Sequence, residues 1–369
     1  MTVPRFCALA GAGLAAAMVL TAAALAQPAN PLRPLPVLAG PKAEHVALGR
    51  LLFFDPRLSG DGSLSCADCH DPAKGWADGR ALSKAYPGSE YFRKAPSLMN
   101  VAYQRTLYWD GRLSGKDLAT QVRDALTEAH FMNADGRLLM ERLKQVPEYV
   151  TLFTKAFGPG DPSFGKILNA VAAFEQTLVS RNVPFDRYLA GDQAAISDEA
   201  KRGLALFQGK AGCIQCHAGP LLSDGRYHAL GVPENPDILE NPERHFTLRR
   251  FYKTLGVPNY ANERTDVGRF AVTKDQRDRG KFRTPSLREV GQTPPYMHNG
   301  MLASLEAVVA FYDRGGGEGP NKSPLLRPLG LDAGEQRALV SFLHTLSGEP
   351  IRDEQPDLPD YAARPFGKN

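Results

Sequence analysis

The sequence predicts a mainly α fold in two related units, 27–190 and 191–369, with long irregular loops. Three observations lead there. Apolar residues recur at helical spacing in several stretches, and few stretches alternate as strands do. Gly (35) and Pro (29) are plentiful among 369 residues, which points to many turns. The pattern Cys-x-x-Cys-His also occurs twice, at Cys66–His70 and Cys213–His217. A similar hexapeptide precedes each copy: Leu48-Gly49-Arg50-Leu51-Leu52-Phe53 and Arg202-Gly203-Leu204-Ala205-Leu206-Phe207. This is a weak internal repeat.

Taken in order, the chain opens with a secretion signal over 1–26. Arg5 supplies a positive start, Leu9 to Leu25 is apolar and Ala-rich, and Ala24-Leu25-Ala26 fits a cleavage site. A membrane anchor is the alternative, but the run is short and followed by Pro28 and Pro31. Pro28 to Pro41 should lie extended on the surface. Glu44 to Phe54 has helical spacing, with Val46, Leu48, Leu51 and Leu52 on one face, and Asp55-Pro56 stops it. Lys74 to Gly88 reads as loop. Asp117 to Glu128 and Asp135 to Gln145 read as short helices, the second capped by Asp135. Ser163 to Arg181 is amphipathic through Phe164, Ile167, Leu168, Val171, Phe174 and Leu178. Asn182 to Asp192, with Pro184 and Gly191, marks the boundary between units. Ser197-Asp198-Glu199-Ala200 caps a helix reaching Phe207. Pro220 to Arg279 is polar and poorly periodic and reads mostly as loop. Helices resume at Ser304 to Tyr312 and Asp332 to Leu346.

Of five cysteines, Cys7 would leave with the signal, so Cys66, Cys69, Cys213 and Cys216 remain and none is spare for a disulfide. Two thiols two residues apart, with His directly after, form the attachment pattern of c-type haem. The thiols form thioethers to the vinyl groups, and His70 or His217 binds iron as a neutral imidazole. Two covalently attached haem c groups are therefore expected. Export agrees, because this attachment is completed outside the cytoplasm. One four-thiolate zinc site is the competing use, but zinc gives no reason for a His after each pair. The net charge of +4 gives no reason to expect nucleic-acid binding, although a local basic face could guide a partner. No membrane span remains after signal cleavage. The far face of each iron then decides function, a sixth protein ligand favouring electron transfer and an open position admitting peroxide. The free histidines of the mature chain are His45, His130, His228, His245, His298 and His344.

Both motifs stand beside Ala95-Pro96-Ser97-Leu98-Met99-Asn100, Tyr108-Trp109-Asp110-Gly111-Arg112, Phe282-Arg283-Thr284-Pro285-Ser286-Leu287-Arg288 and Thr293-Pro294-Pro295-Tyr296-Met297-His298-Asn299-Gly300. Over nearly the whole mature chain this resembles the bacterial diheme cytochrome c peroxidases and the MauG-like enzymes related to them. The resemblance implies two cytochrome c-like haem domains, with peroxide at the N-terminal haem and oxidising equivalents stored at the C-terminal one. It makes Trp109 the tryptophan between the haems, where a plain core residue would be the bland alternative, and Arg283 a haem-binding residue. Tyr312 matches the sixth-ligand position of the C-terminal haem, a tyrosine in MauG-like proteins and a methionine in classical peroxidases. A phenolate is a hard donor that favours ferric and higher-valent iron, whereas a thioether favours the ferrous state. Met297 is the runner-up ligand.

No histidine lies between Asp71 and Trp109 to block the first haem, although Tyr86 lies near that place. Gln121 matches the glutamine of the family's distal pocket. The usual distal glutamate position falls on Phe131, leaving Glu128 and His130 as candidates to move protons. Thr293 and Pro295 match carbonyl ligands of the family's inter-haem calcium, but Lys94 replaces the customary asparagine, and its ammonium argues against calcium. The open first haem, Tyr312 and the segment Leu126 to Asn133 are similar to the MbnH-type enzymes of methanobactin operons, which oxidise a tryptophan of the partner MbnP. The expectation is a periplasmic, MauG-like diheme peroxidase. It would use hydrogen peroxide to reach a high-valent diheme state and oxidise an aromatic residue of a partner protein, such as an MbnP-like copper-binding protein. A classical peroxidase fed by a small cytochrome or copper protein is the first rival, and a diheme electron carrier with both irons six-coordinate the second.

Overall fold

The computed structural model describes residues 32–361, so the expected signal lies outside the described residues. The first unit holds α1 (Ala43–Phe54), α2 (Leu118–Thr127), α3 (Gly136–Lys144), α4 (Pro147–Phe157) and α5 (Phe164–Glu175). The rest holds α6 (Pro184–Leu189), α7 (Asp198–Gln208), α8 (Asp237–Glu240), α9 (Pro242–Thr254), α10 (Phe270–Thr273), α11 (Leu305–Asp313) and α12 (Ala333–His344). The strands among the described residues are two-residue pieces: β1 (Thr106–Leu107) pairs with β2 (Leu113–Ser114), and β3 (Tyr227–His228) with β4 (Phe282–Arg283). The fold is mainly α, as the sequence predicts. None of the described helices is long and apolar enough to cross a membrane.

Side-chain caps place the helix starts. Asp117, Asp135, Ser163, Ser197, Ser304 and Asp332 each accept a backbone N–H of the first turn, satisfying donors that have no partner within the helix. The helix expected over Ser163–Arg181 stops at Glu175, where Thr177 and Leu178 donate to carbonyls three residues back and tighten the chain into a turn. Residues 220–279 are largely irregular, as expected, but they hold more than loop. Within them α9 is capped by Asn241, starts on Pro242 and buries Thr247, Leu248, Phe251 and Tyr252.

Two helix crossings organise the molecule. At α1 against α5, a Cβ on Gly49 would lie 1.8 Å from the Ala170 carbonyl oxygen; at α7 against α12, a Cβ on Gly203 would lie 1.9 Å from that of Ala338. Only glycine allows backbones so close. One turn on, Phe53 meets Phe174 (5.2 Å between centroids) and Phe207 meets Phe342 (5.1 Å). The aligned hexapeptides thus do the same job in both units. One core runs from Leu48 to Leu178 and another from Val183 to Leu346, with Phe185 of α6 in the second. A third core joins Leu82, Tyr91 and Phe92 to Leu248, Phe251 and Tyr252 of α9.

The C-terminal segment crosses back over the first unit. Arg50 pairs with Asp353 (2.6 Å), Arg57 donates to the Pro359 carbonyl (2.7 Å) and the Trp76 indole N–H to that of Ile351 (3.0 Å).

Candidate active site

Cys66 opens a short 3-10 turn, Cys66–Asp68, held by a capping box in which the Asp68 carboxylate accepts from the Ser65 N–H at 2.7 Å. His70 follows, and its Nδ1–H donates to the Trp76 carbonyl at 3.1 Å. That bond fixes the tautomer and leaves Nε2 free to bind a metal. Burial lowers the pKa of His70, so the ring is neutral, as a ligand must be. Cys66, Cys69 and His70 line a cavity of about 130 Å³. Tyr108, Gln121, Phe131, Tyr91 and Arg112 also line it. The Tyr108 hydroxyl and the Gln121 carboxamide oxygen are buried without a hydrogen-bond partner. Glu175, at the end of α5, is 4% exposed and has an unpartnered oxygen; burial pushes its pKa up to about 8, so it is protonated at neutral pH.

The second motif repeats this arrangement. His217 Nδ1–H donates to the Leu222 carbonyl at 2.8 Å, and burial lowers its pKa. Its cavity, about 500 Å³, is lined by Cys213, Cys216, His217 and Tyr312 of α11, and also by Met297 and His298. Crowding by protein raises the Tyr312 phenol above its ordinary value, so its phenolate would need a bound cation. His228, 3.0 Å from the Asp224 carboxylate, is pushed up to about 9 and stays charged at neutral pH. Although His228, Asp224 and Cys216 lie close enough to share a metal, the Cys216 sulfur belongs to the haem motif.

The partition between the cavities is one wall. Lys94, Pro96, Ser97, Gln104, Trp109 and Arg283 line both. Tyr108 takes a left-handed conformation (φ 64°) and Gly111 closes the turn. A Cβ on Gly111 would lie 1.8 Å from the Tyr227 hydroxyl of the second unit. This turn holds Trp109 in the wall, where its indole N–H donates to the Lys94 carbonyl at 2.9 Å and its own carbonyl accepts from the Arg283 N–H at 2.8 Å. Beneath it lies a buried ionic network. Arg93, 1% exposed, bonds Asp110 (2.7 Å) and Asp266 (2.6 Å), and Arg112 also reaches Asp110 (3.0 Å). Both carboxylates are held below their ordinary range; although burial opposes this, the guanidinium groups beside them prevail.

Among the sequence candidates, Gln121 faces the first cavity, while Glu128 and His130 do not line it. The reason is the turn after α2. Phe131 and Asn133 both donate to the Glu128 carbonyl, which sends Phe131 into the cavity and His130 away from it. His130 lies parallel to the Tyr91 ring (2°, centroids 5.4 Å apart), and burial beside the Arg112 and Arg250 cations pushes it down to about 3. Glu128 sits 3.9 Å from His130 Nδ1, its side chain 43% exposed. Thr293 and Pro295 line the second cavity beside Lys94. Arg93 and Asp266 carry no local sequence sign of a supporting role; for Glu175 the one usable signal is a carboxylate closing the apolar run Val171–Phe174.

The residues fit two covalently held haems. Each cavity offers two cysteines and a neutral histidine after them, His70 or His217, with cations in the shared wall; the second cavity adds His298, also neutral and with an unpartnered Nε2. Burial pushes the Arg283 guanidinium down to about 10, and its Nε donates to the Tyr108 carbonyl at 3.1 Å, so it is suited to a haem carboxylate. The cysteine pairs line different cavities, which removes a shared four-thiolate site.

The family described as di-haem cytochrome c peroxidase matches residues 43–194. Cytochrome-c peroxidase IdrP2 of Denitromonas iodatirespirans is 52% identical over 365 residues, covering 99% of this chain and 97% of that protein. The methylamine utilization protein MauG of Methylorubrum extorquens is 40% identical, over 90% of this chain and 83% of its own. A solved MauG-like protein associated with microbial copper homeostasis superposes with a TM-score of 0.72 at 32% identity, over 88% of this chain and 97% of its own.

Proposed function

This chain belongs to the family of di-haem cytochrome c peroxidases and MauG and is an oxidoreductase; from that premise we propose that it reduces hydrogen peroxide at the Cys66–His70 haem, without prior reductive activation, in the periplasm. The observation that carries this reading is that His70 is the only histidine among the described residues lining the first cavity. No second imidazole is there to close the opposite side of the iron.

Bound haem would supply an iron that cleaves the O–O bond and holds oxidising equivalents. The chain does the rest. His70, pinned by the Trp76 carbonyl, presents Nε2. The Tyr108 hydroxyl and the Gln121 carboxamide offer hydrogen bonds to peroxide, and Phe131 keeps the pocket dry. Trp109 spans the wall between the cavities, and His217 and Tyr312, which line the second, would hold its iron. Each peroxide takes two electrons and two protons to give two waters.

We assign the electrons to a small redox protein docking at the second haem, because relatives 52% identical to this chain carry the name cytochrome-c peroxidase. Oxidation of an aromatic residue on a partner protein is the second reading, favoured by Tyr312 in the second cavity and by the MauG-like neighbour. An EPR spectrum of the resting ferric holoprotein should contain a high-spin signal; a purely low-spin spectrum sinks the proposal. Never-reduced enzyme mixed with peroxide and reduced cytochrome c should turn over without a lag. If cytochrome is ignored while a co-expressed partner gains oxygen on an aromatic residue, the second reading replaces the first.

A further inference from the structure

We propose that the ammonium of Lys94 takes the place of the calcium ion that the family resemblance puts between the haems, so that the inter-haem cation is covalently built into this chain. Lys94 is 5% exposed and lines both cavities. Its Nζ donates to the Pro294 carbonyl at 3.5 Å, between Thr293 and Pro295. Burial lowers its pKa, and the acidic group that opposes this and favours the charged form is Asp78, itself buried and bonded by Ser83 at 2.5 Å.

The donor set does not fit calcium. Calcium takes six to eight oxygen ligands, carboxylates prominent among them. An ammonium has three donors and no acceptor. Placed where an asparagine oxygen is customary, it repels a divalent ion and donates instead to the Pro294 carbonyl, between the two positions that match the calcium ligands. The remaining polar groups of the residue tie this charge to the relay. The Lys94 N–H donates to the His298 carbonyl at 2.8 Å, and the Lys94 carbonyl accepts from the Trp109 indole at 2.9 Å. One residue therefore holds a buried positive charge, the orientation of Trp109, and the junction with segment 293–298. A chelator cannot remove such a cation. Because a fixed positive charge favours the reduced state of a nearby iron, its loss lowers the haem potentials.

The test uses the diheme holoprotein, dialysed against EGTA, with metal content by mass spectrometry and both midpoint potentials by spectroelectrochemistry. Wild type should hold no calcium above the buffer blank, and neither EGTA nor added calcium should move its potentials. Lys94→Met should lower the potentials and remain indifferent to calcium. Lys94→Asn should take up one calcium per chain, after which EGTA shifts its potentials. Calcium retained by wild type, with potentials that move when EGTA strips it, overturns the proposal, and so do wild-type potentials in Lys94→Met. If Lys94→Asn does not accumulate as holoprotein, Lys94→Arg decides: retained potentials support a role for the charge, and lowered ones contradict it. Neither readout involves a protein donor, so failure here leaves the donor assignment untouched.

Discussion

The crossing of α1 on α5 and that of α7 on α12 match closely, yet the two units differ one residue beyond the matched phenylalanines. Phe174 is followed by Glu175, buried at the first cavity; Phe342 is followed by Leu343, which lines the second. The histidines match as well, each donating Nδ1–H to a carbonyl. The opposite walls do not. Tyr108, Gln121 and Phe131 face the first cavity, whereas Tyr312 stands in the second. Attachment and backbone packing are therefore repeated, and the division of labour rests on a few cavity-facing side chains. The same crossing thus supports two differently lined cavities.

The largest expected effect comes from what ties the two units together. Arg93→Met would leave Asp266 buried without its cation and Asp110 with Arg112 alone, costing about 3–5 kcal/mol in denaturant unfolding. A loss within the error of that measurement would mean that the units do not depend on this network. The Glu175–Leu343 difference should appear as a pH dependence. The folded pKa of Glu175, about 8, lies above its ordinary 4.5, so the native state holds the proton more tightly than the unfolded chain. Its contribution is fully present below pH 4.5 and is lost as pH rises to about 8, at about 1 kcal/mol per pH unit at most. Glu175→Gln should flatten that slope in unfolding curves taken across the window.

Smaller effects would test the likeness itself. Gly49→Ala and Gly203→Ala each drive a Cβ into a backbone carbonyl, at a cost of about 1–3 kcal/mol. If the crossings are equivalent, the two variants should lose similar stability, each disturbing the haem absorbance of its own unit first. A large inequality would break the parallel. Least costly in stability, Tyr312→Phe should change the low-spin haem spectrum and leave the high-spin EPR signal of the first haem intact. An unchanged low-spin spectrum would pass the ligand assignment to Met297.

Much of this was legible in the sequence because it is local. Helix caps such as Asp135 and Ser197 act within one turn, and Cys-x-x-Cys-His is a single turn of chain. What stayed hidden depends on distant partners. The buried stripe of α9 is interleaved with Arg244, Arg249, Arg250 and Lys253, and its apolar partners, Tyr91 and Phe92, lie far away in sequence. The helix α4 begins on Pro147 and buries Tyr149 and Phe153; a lone proline marks a helix start and a helix break alike. Arg93 and Asp266 look like surface charges until the fold brings them together. Glu128 and His130 sit at the right place in sequence, and one turn of backbone, set by the Glu128 carbonyl, faces Phe131 inward instead.

The crossing-back of residues 351–359 bears on how the protein is made. A chain emerging from amino to carboxyl end exposes Cys66 and Cys69 long before Asp353 can reach Arg50 or Ile351 can meet Trp76. Trp76 is also the residue whose carbonyl orients His70. The support of the histidine that follows the first thiol pair is therefore completed by the last stretch of the chain to be synthesised.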